Sequence, residues 1–214
     1  PNFDARAMNA KEAEDAAKKA VERAVANQAD ARQAVRSLSQ AYHPYALTTG
    51  ELQSADVVAS LLVKSYAEIR QIASVAELSD RASAGIAKAE RVVGAMVDTI
   101  RFTHEEITRR LAGLDVAEEI RKEIEENLVP ALYLRRVAAR TGTAEVRRTI
   151  EATADGLLAN LYRFGSPFLG LPVPQRSQLE LQAMACADIF QRSSSCVEGR
   201  NGQLSLFHHG LNKL

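Results

Sequence analysis

The chain has 214 residues, 46% of them hydrophobic but only 5% aromatic, with no tryptophan. That is apolar mass enough for a core, and its alanine-rich character argues against a β-sandwich and for closely packed helices. Lysine plus arginine equal aspartate plus glutamate at 27 each, so the overall charge excludes a globally basic nucleic-acid binder or anionic-membrane binder and leaves only a local basic face open.

Residues 4–42 contain no proline or glycine. Ala10, Ala17, Ala24, Ala31 and Leu38 recur every seven residues, and Glu14, Val21, Gln28, Val35 and Tyr42 follow four later in each heptad. This predicts a coiled-coil-like helix about 55–60 Å long at 1.5 Å per residue. An alanine seam permits close helix approach but buries little area per residue. Such a helix needs a partner, and the expected one is the third helix, because of its length. The chain opens on Pro1 directly in this pattern and is expected to continue upstream.

The stretch "YHPYALTTGEL" ends the first helix, through Pro44 and Gly50. A second helix is predicted from Ser54 to Glu77, with Val57, Val58, Leu61, Leu62, Ile69, Ile72 and Ala76 as its apolar stripe. A third runs from Ser79 to Ala112 through Ile86, Val93, Met96, Val97, Ile100, Ile107 and Leu111, and Gly113 suits its end. Asp115 and Glu118 have the spacing of a capping pair for a fourth helix. Pro130 kinks that helix or starts a new one to Arg140, and Thr143 can cap a helix reaching Tyr162.

"RFGSPFLGLPVPQ" holds three prolines and two glycines and marks the internal boundary. The expected organisation is a helical, coiled-coil-like region over 1–163, a linker over 164–174, and a terminal segment over 175–214. Residues 175–191 read as helix, and no segment alternates with period two. The fold class is therefore all-α, a long antiparallel helical bundle or hairpin with a C-terminal helical segment and at most one short strand after residue 165.

Two cysteines, Cys186 and Cys196, offer neither a disulfide framework nor a zinc spacing and read as small buried hydrophobes in a reducing cytoplasm. No apolar run approaches the about 18 residues that a membrane helix requires. His104-Glu105-Glu106 is not a zinc-protease motif, since residue 108 is threonine where H-E-x-x-H needs histidine. His43, before Pro44, reads as a helix-end residue. Adjacent His208 and His209 diverge on a helix; a solvated helix end and a phosphate contact are both open to His208. Arg135, Arg136, Arg140, Arg147 and Arg148, then Arg192 and Arg200, are basic clusters that are either solvated faces or phosphate contacts.

The last stretch, "QRSSSCVEGRNGQLSLFHHG", is where chemistry concentrates. Ser195 and Glu198 fit an S-x-x-E capping box, in which serine and glutamate satisfy each other's backbone N–H. That leaves Gly199 and Gly202 unexplained, since each costs about 0.8–1 kcal/mol in a helix relative to alanine. Asn201 lies three residues after Glu198 on the same helical face. An acid beside an amide can hold a hydrated divalent cation and its phosphate ligand.

"SSSCVEGRNGQLS" resembles the last motif of bacterial insertion-sequence transposases with a DDE-type, ribonuclease-H-like catalytic domain, through Ser194 or Ser195, Glu198, Gly199 and Asn201. "YHPYALTTGEL", "IAKAERVV" and "VPALYLRRVA" are similar to the helical region that precedes the glutamate in one transposase-related family. The resemblance implies that the terminal segment completes a ribonuclease-H-like domain in a longer protein. There, three carboxylates hold two Mg²⁺ or Mn²⁺ ions for DNA strand cleavage and transfer. Glu198 would be the third carboxylate and metal ligand. Arg192, Ser194, Ser195, Arg200, Asn201 and His208 would line the DNA, with Arg192 and Arg200 the better phosphate contacts.

The two partner aspartates would lie on strands upstream, and neither Asp155 nor Asp188 fills that role, since both sit in helical sequence. The chain alone would be inactive and bind no metal tightly. The implied partners are transposon-end DNA and a second copy of the protein, with no membrane, at the bacterial nucleoid. The alternative is a non-enzymatic helical interaction protein in which Glu198 is only a cap.

Overall fold

A computed structural model of the chain describes residues 2–76 and 78–191. All its regular elements are helical: α1 (Asn2–Ala41), α2 (Ala55–Val75), α3 (Asp80–Glu90), α4 (Val93–Ala112), α5 (Glu118–Glu123), a π-helical turn (Ile124–Leu128), α6 (Val129–Arg140), α7 (Ala144–Leu161) and α8 (Val173–Ala187). Among the described residues there is no strand after residue 165; extended pairing is limited to an isolated antiparallel bridge between Tyr45 and Leu52. No described helix is long and apolar enough to cross a membrane. The chain divides into two compact units: Pro1–Ala41 with Ser60–Val93, and Tyr42–Ala59 with the residues from Gly94 onward.

In the first unit, α1 uses a different seam from the one expected. Ala34 and Ala41, seven apart, are buried, with Asn27, Ala31 and Leu38 half-buried. The second row of the seam is therefore 27, 34 and 41, while Val35 is 57% exposed. A shift of one residue turns a helix by about 100°, and the smaller alanines take the inward positions that valine would widen. Residues 11–26 are exposed on every side of α1. The opposite wall comes mainly from α2, whose Ile69, Ile72 and Ala73 face Ala24, Asn27 and Ala31 across an open groove of about 710 Å³, with α3 contributing Ile86.

Ser54 starts α2 by accepting the Val57 N–H at 3.2 Å, and Ser79 starts α3 by accepting the Ala82 N–H at 3.4 Å. The expected single helix over 79–112 is in fact two, broken at Arg91-Val92. Val92, Val93 and Gly94 are successive weak helix formers, two β-branched and one without a side chain.

The second unit buries Val97, Ile100, Thr103, Ile107 and Leu111 along one face of α4. The fourth helix begins later than the capping pair implied. Ala117 occupies its N-cap without a side-chain bond, so Asp115 does not cap it. Arg121 organises the entry instead: it pairs with Glu118 and donates to the carbonyls of Leu114 and Val116 at 3.4 and 3.5 Å.

Pro130 stands in the first turn of a new α-helical segment that runs to Arg140, the second of the two readings, but what precedes that segment is a π-helical turn. Pro130 lacks an N–H, and its ring crowds the carbonyl four residues back, that of Glu126. The chain accommodates this by widening to a π-helical turn over Ile124–Leu128, then continuing as α6. α6 is the centre of this unit. It buries Val129, Pro130, Ala131, Tyr133, Leu134 and Ala138 and packs on both α7 and α8. Thr143 sits at the N-cap of α7, but its side chain makes no capping bond.

The Pro/Gly-rich stretch 164–174 lies within this second unit, with Ser166 and Phe168 buried. It is held by one carboxylate. Glu123, itself buried, accepts the Ser166 hydroxyl at 2.7 Å and the Phe168 N–H at 2.9 Å on Oε2, and Arg163 at 3.3 Å on Oε1. A buried carboxylate with three donors is well compensated for its lost hydration.

Candidate functional site

Glu198, Arg192, Ser194, Ser195, Arg200, Asn201 and His208 lie outside the described residues, as do Cys196 and His209. The approach to them is described. Past the end of α8, Ile189 and Phe190 are buried. The Phe190 ring meets Tyr42 at 5.1 Å, Tyr133 at 6.0 Å and His43 at 6.2 Å between centroids. The chain is thus pinned by an aromatic side chain three residues before the serine-glutamate motif begins.

The pin is built from the loop between α1 and α2. Tyr42, His43 and Tyr45 come from it, and Tyr133 from the middle of α6. His43 Nδ1 lies 2.5 Å from the Tyr133 hydroxyl, and the Tyr45 and Tyr133 rings are 5.4 Å apart. Burial pushes the Tyr133 phenol well above its ordinary value, so it stays protonated and donates. Burial lowers His43 to about 4, so it stays neutral, accepts on Nδ1 and carries its hydrogen on Nε2. The pair is uncharged at neutral pH. Its chemistry is that of an anchor, since the histidine is too weak a base, and the phenol too weak an acid, to exchange protons with a substrate.

Backbone bonds fix the loop that presents His43. The Ala46 N–H donates to the Glu51 carbonyl at 2.8 Å, the Gly50 N–H to Ala46 at 2.8 Å, and the Gln53 N–H to Pro44 at 2.9 Å. The Gln53 side chain donates to the His43 carbonyl at 3.0 Å, and His104 Nε2 lies 3.4 Å from the Pro44 carbonyl. Gly50 has φ +76°, a left-handed backbone that favours glycine, and a Cβ there would stand 2.5 Å from Leu157 Cδ1 on α7, whose flexible end would have to shift. The Thr153 hydroxyl on α7 donates to the Thr48 carbonyl at 3.1 Å. The loop is thereby held to α4, α6 and α7.

Other residues singled out by sequence have plain partners. Asp155 pairs with Arg135 at 3.1 Å, and Asp188, at the C-cap of α8, with Arg136 at 3.0 Å. Glu106 is held by Arg109 and Arg110 at 2.8 and 2.7 Å. Cys186 is buried and its thiol is pushed up by that burial, as expected of a small core side chain. Among the described residues, no group of three His, Cys, Asp or Glu side chains could hold a metal ion. A shallow concavity of about 550 Å³ beside α6, α7 and α8 contains Arg135, Asp155, Tyr162 and Glu180, but these polar groups already bond to one another, Tyr162 donating to Glu180 at 2.7 Å.

The helix-end reading of His43 missed its bond to a tyrosine 90 residues away. The available signal was aromatic density: Tyr-His-Pro-Tyr in a chain that is only 5% aromatic. Residues 124–214, from the π-helical turn through the serine-glutamate motif, match a protein family described as a family of unknown function (DUF6399). No curated protein and no solved structure matches the chain.

Proposed function

We propose that this chain is the C-terminal part of a DDE-type DNA transposase, with Glu198 as the third of its metal-binding carboxylates. The observation that supports the reading is a convergence. "YHPYALTTGEL" and "VPALYLRRVA", two of the segments similar to the transposase-related family, meet through His43 and Tyr133 and enclose Phe190, just ahead of "SSSCVEGRNGQLS". Segments that only bridged two other domains would have no need to grip that point. A divalent metal pair supplies Lewis-acid activation of water or a DNA 3′ hydroxyl in such enzymes. The part assigned to the described residues is to fix the direction in which the chain leaves α8, so that the carboxylate at position 198 is presented from a rigid support.

The test is Glu198→Gln in the parent protein, with its upstream coding sequence restored. Mg²⁺-dependent strand cleavage should be abolished while the far-UV circular dichroism is unchanged. Undiminished cleavage rejects the reading, and so does an upstream frame that encodes no pair of strand-borne aspartates.

The second reading, a helical interaction protein, is favoured by α1. Val21, Val25 and Val35 are each more than half exposed, and the open groove between α1 and α2 is apolar. Under this reading, Ala24→Glu and Ala31→Glu abolish the chain's function while Glu198→Gln costs only the roughly 0.5–2 kcal/mol of a helix cap.

A further inference from the structure

Five arginines cluster between residues 135 and 148, and the structure sorts them. Arg135 and Arg136 are engaged, with Asp155 and Asp188. Arg140, Arg147 and Arg148 are exposed and form no ion pair among the described residues. Arg140 is the last residue of α6, and Arg147 and Arg148 lie in the second turn of α7. The two helices pack on each other and are joined by three residues, Thr141, Gly142 and Thr143, so all three arginines stand at one end of the hairpin. Glu145 is the acid that shares this tip. Three arginines against one glutamate leave an excess of two positive charges, in a chain whose totals cancel.

The surroundings are open. Nothing lies within 4 Å of where a Gly142 side chain would be, and the Thr143 hydroxyl is not used as a helix cap. Neither concavity described above contains any of the three arginines. A guanidinium presents a planar fork of donors that matches phosphate oxygens. Exposed forks at the end of a hairpin suit a repeating polyanion, in which each meets its own phosphate.

We propose that the tip of the α6–α7 hairpin is a DNA-backbone contact surface, with Arg140, Arg147 and Arg148 each meeting a phosphate. The proposal rests on the transposase reading for the choice of DNA. It adds a surface remote in sequence from the glutamate motif, one that would contribute salt-dependent affinity without reading bases.

The experiment measures binding of the 214-residue chain to a fluorescein-labelled duplex by anisotropy over a range of salt. The triple variant Arg140→Gln/Arg147→Gln/Arg148→Gln should bind roughly tenfold or more weakly, and its plot of log affinity against log salt should be shallower by about 2.7, at about 0.9 for each phosphate contact. The triple Arg→Lys variant should keep most of the slope. Because all three side chains are exposed and form no ion pair among the described residues, the circular dichroism of both variants should match the unchanged chain. A slope unaltered in the Gln variant overturns the surface, and so does absence of binding by the unchanged chain. Tighter binding to polyglutamate than to DNA, lost in the same variant, assigns the tip to an acidic polypeptide and also overturns it. Failure here is distinguishable from failure of the transposase reading, which stands or falls on cleavage by Glu198→Gln in the parent.

Discussion

Acid should loosen the grip on Phe190, by an amount set by His43. Its folded-state value is lowered from 6.5 to about 4 by burial. Above pH 6.5 the imidazole is neutral in both folded and unfolded chains and pH has no effect through it. Between 6.5 and 4 the unfolded chain takes up a proton that the folded chain refuses, so stability falls as pH falls. Each unit corresponds to about 1.4 kcal/mol, giving roughly 3 kcal/mol across the window. The geometry points the same way: protonated His43 would have to donate from Nδ1, where the Tyr133 hydroxyl now donates to it, and the rings beside it, Tyr133 and Phe190, offer no countercharge. His104, which burial also holds below its ordinary value, acts in the same direction. The assay is the urea midpoint by circular dichroism at pH 7 and through the acid range. The His43→Gln variant should be less stable at pH 7 but lose less on acidification, and His43→Gln/His104→Gln should be flatter still. Parallel acid losses in the unchanged chain and the double variant would refute the reasoning.

Other outcomes follow from the packing. Glu123→Ala should cost about 3–5 kcal/mol, because it leaves the Ser166 hydroxyl and Phe168 N–H buried without an acceptor, whereas Glu123→Gln keeps one acceptor oxygen and should cost about 1 kcal/mol; urea titration separates them. Gly50→Ala should cost about 1–3 kcal/mol, from the left-handed backbone and the contact with the flexible end of Leu157, read as a lowered melting temperature. Phe190→Ala should cost about 3–5 kcal/mol as a large-to-small core change. In the parent protein it should also lower cleavage more than a comparably destabilised variant outside the anchor, such as Glu123→Ala.

Much of the helical plan was legible because its signals are local. Ser54 and Ser79 cap where they stand, Gly113 ends α4, and Val97, Ile100, Ile107 and Leu111 mark one helix face by spacing alone. Some of the errors arose where a neighbour in space outweighed a local rule. Asp115 had the spacing of a cap, but Arg121 reaching back to two carbonyls made a cap unnecessary. The phase of the α1 seam was ambiguous because alanine occupies several rows of that helix, and one row differs from the next in little but size. The 164–174 stretch has the composition of a linker, yet Glu123, some 40 residues away, makes it part of a core. Of the site, the aromatic residues before Pro44 were visible, but nothing in the order of letters joins residue 43 to residue 133.

The π-helical turn ahead of Pro130 carries a consequence for everything after it. Such a turn accommodates one residue more than an α-helical path would, so every later position of α6 is rotated by about 100° from where unbroken winding would put it. Tyr133 points at His43 only because of that offset. If the turn rewound as plain α-helix with no residue removed, the phenol would swing out of the anchor without any change to a side chain that touches Phe190; deleting one residue from 124–128 at the same time would restore its direction.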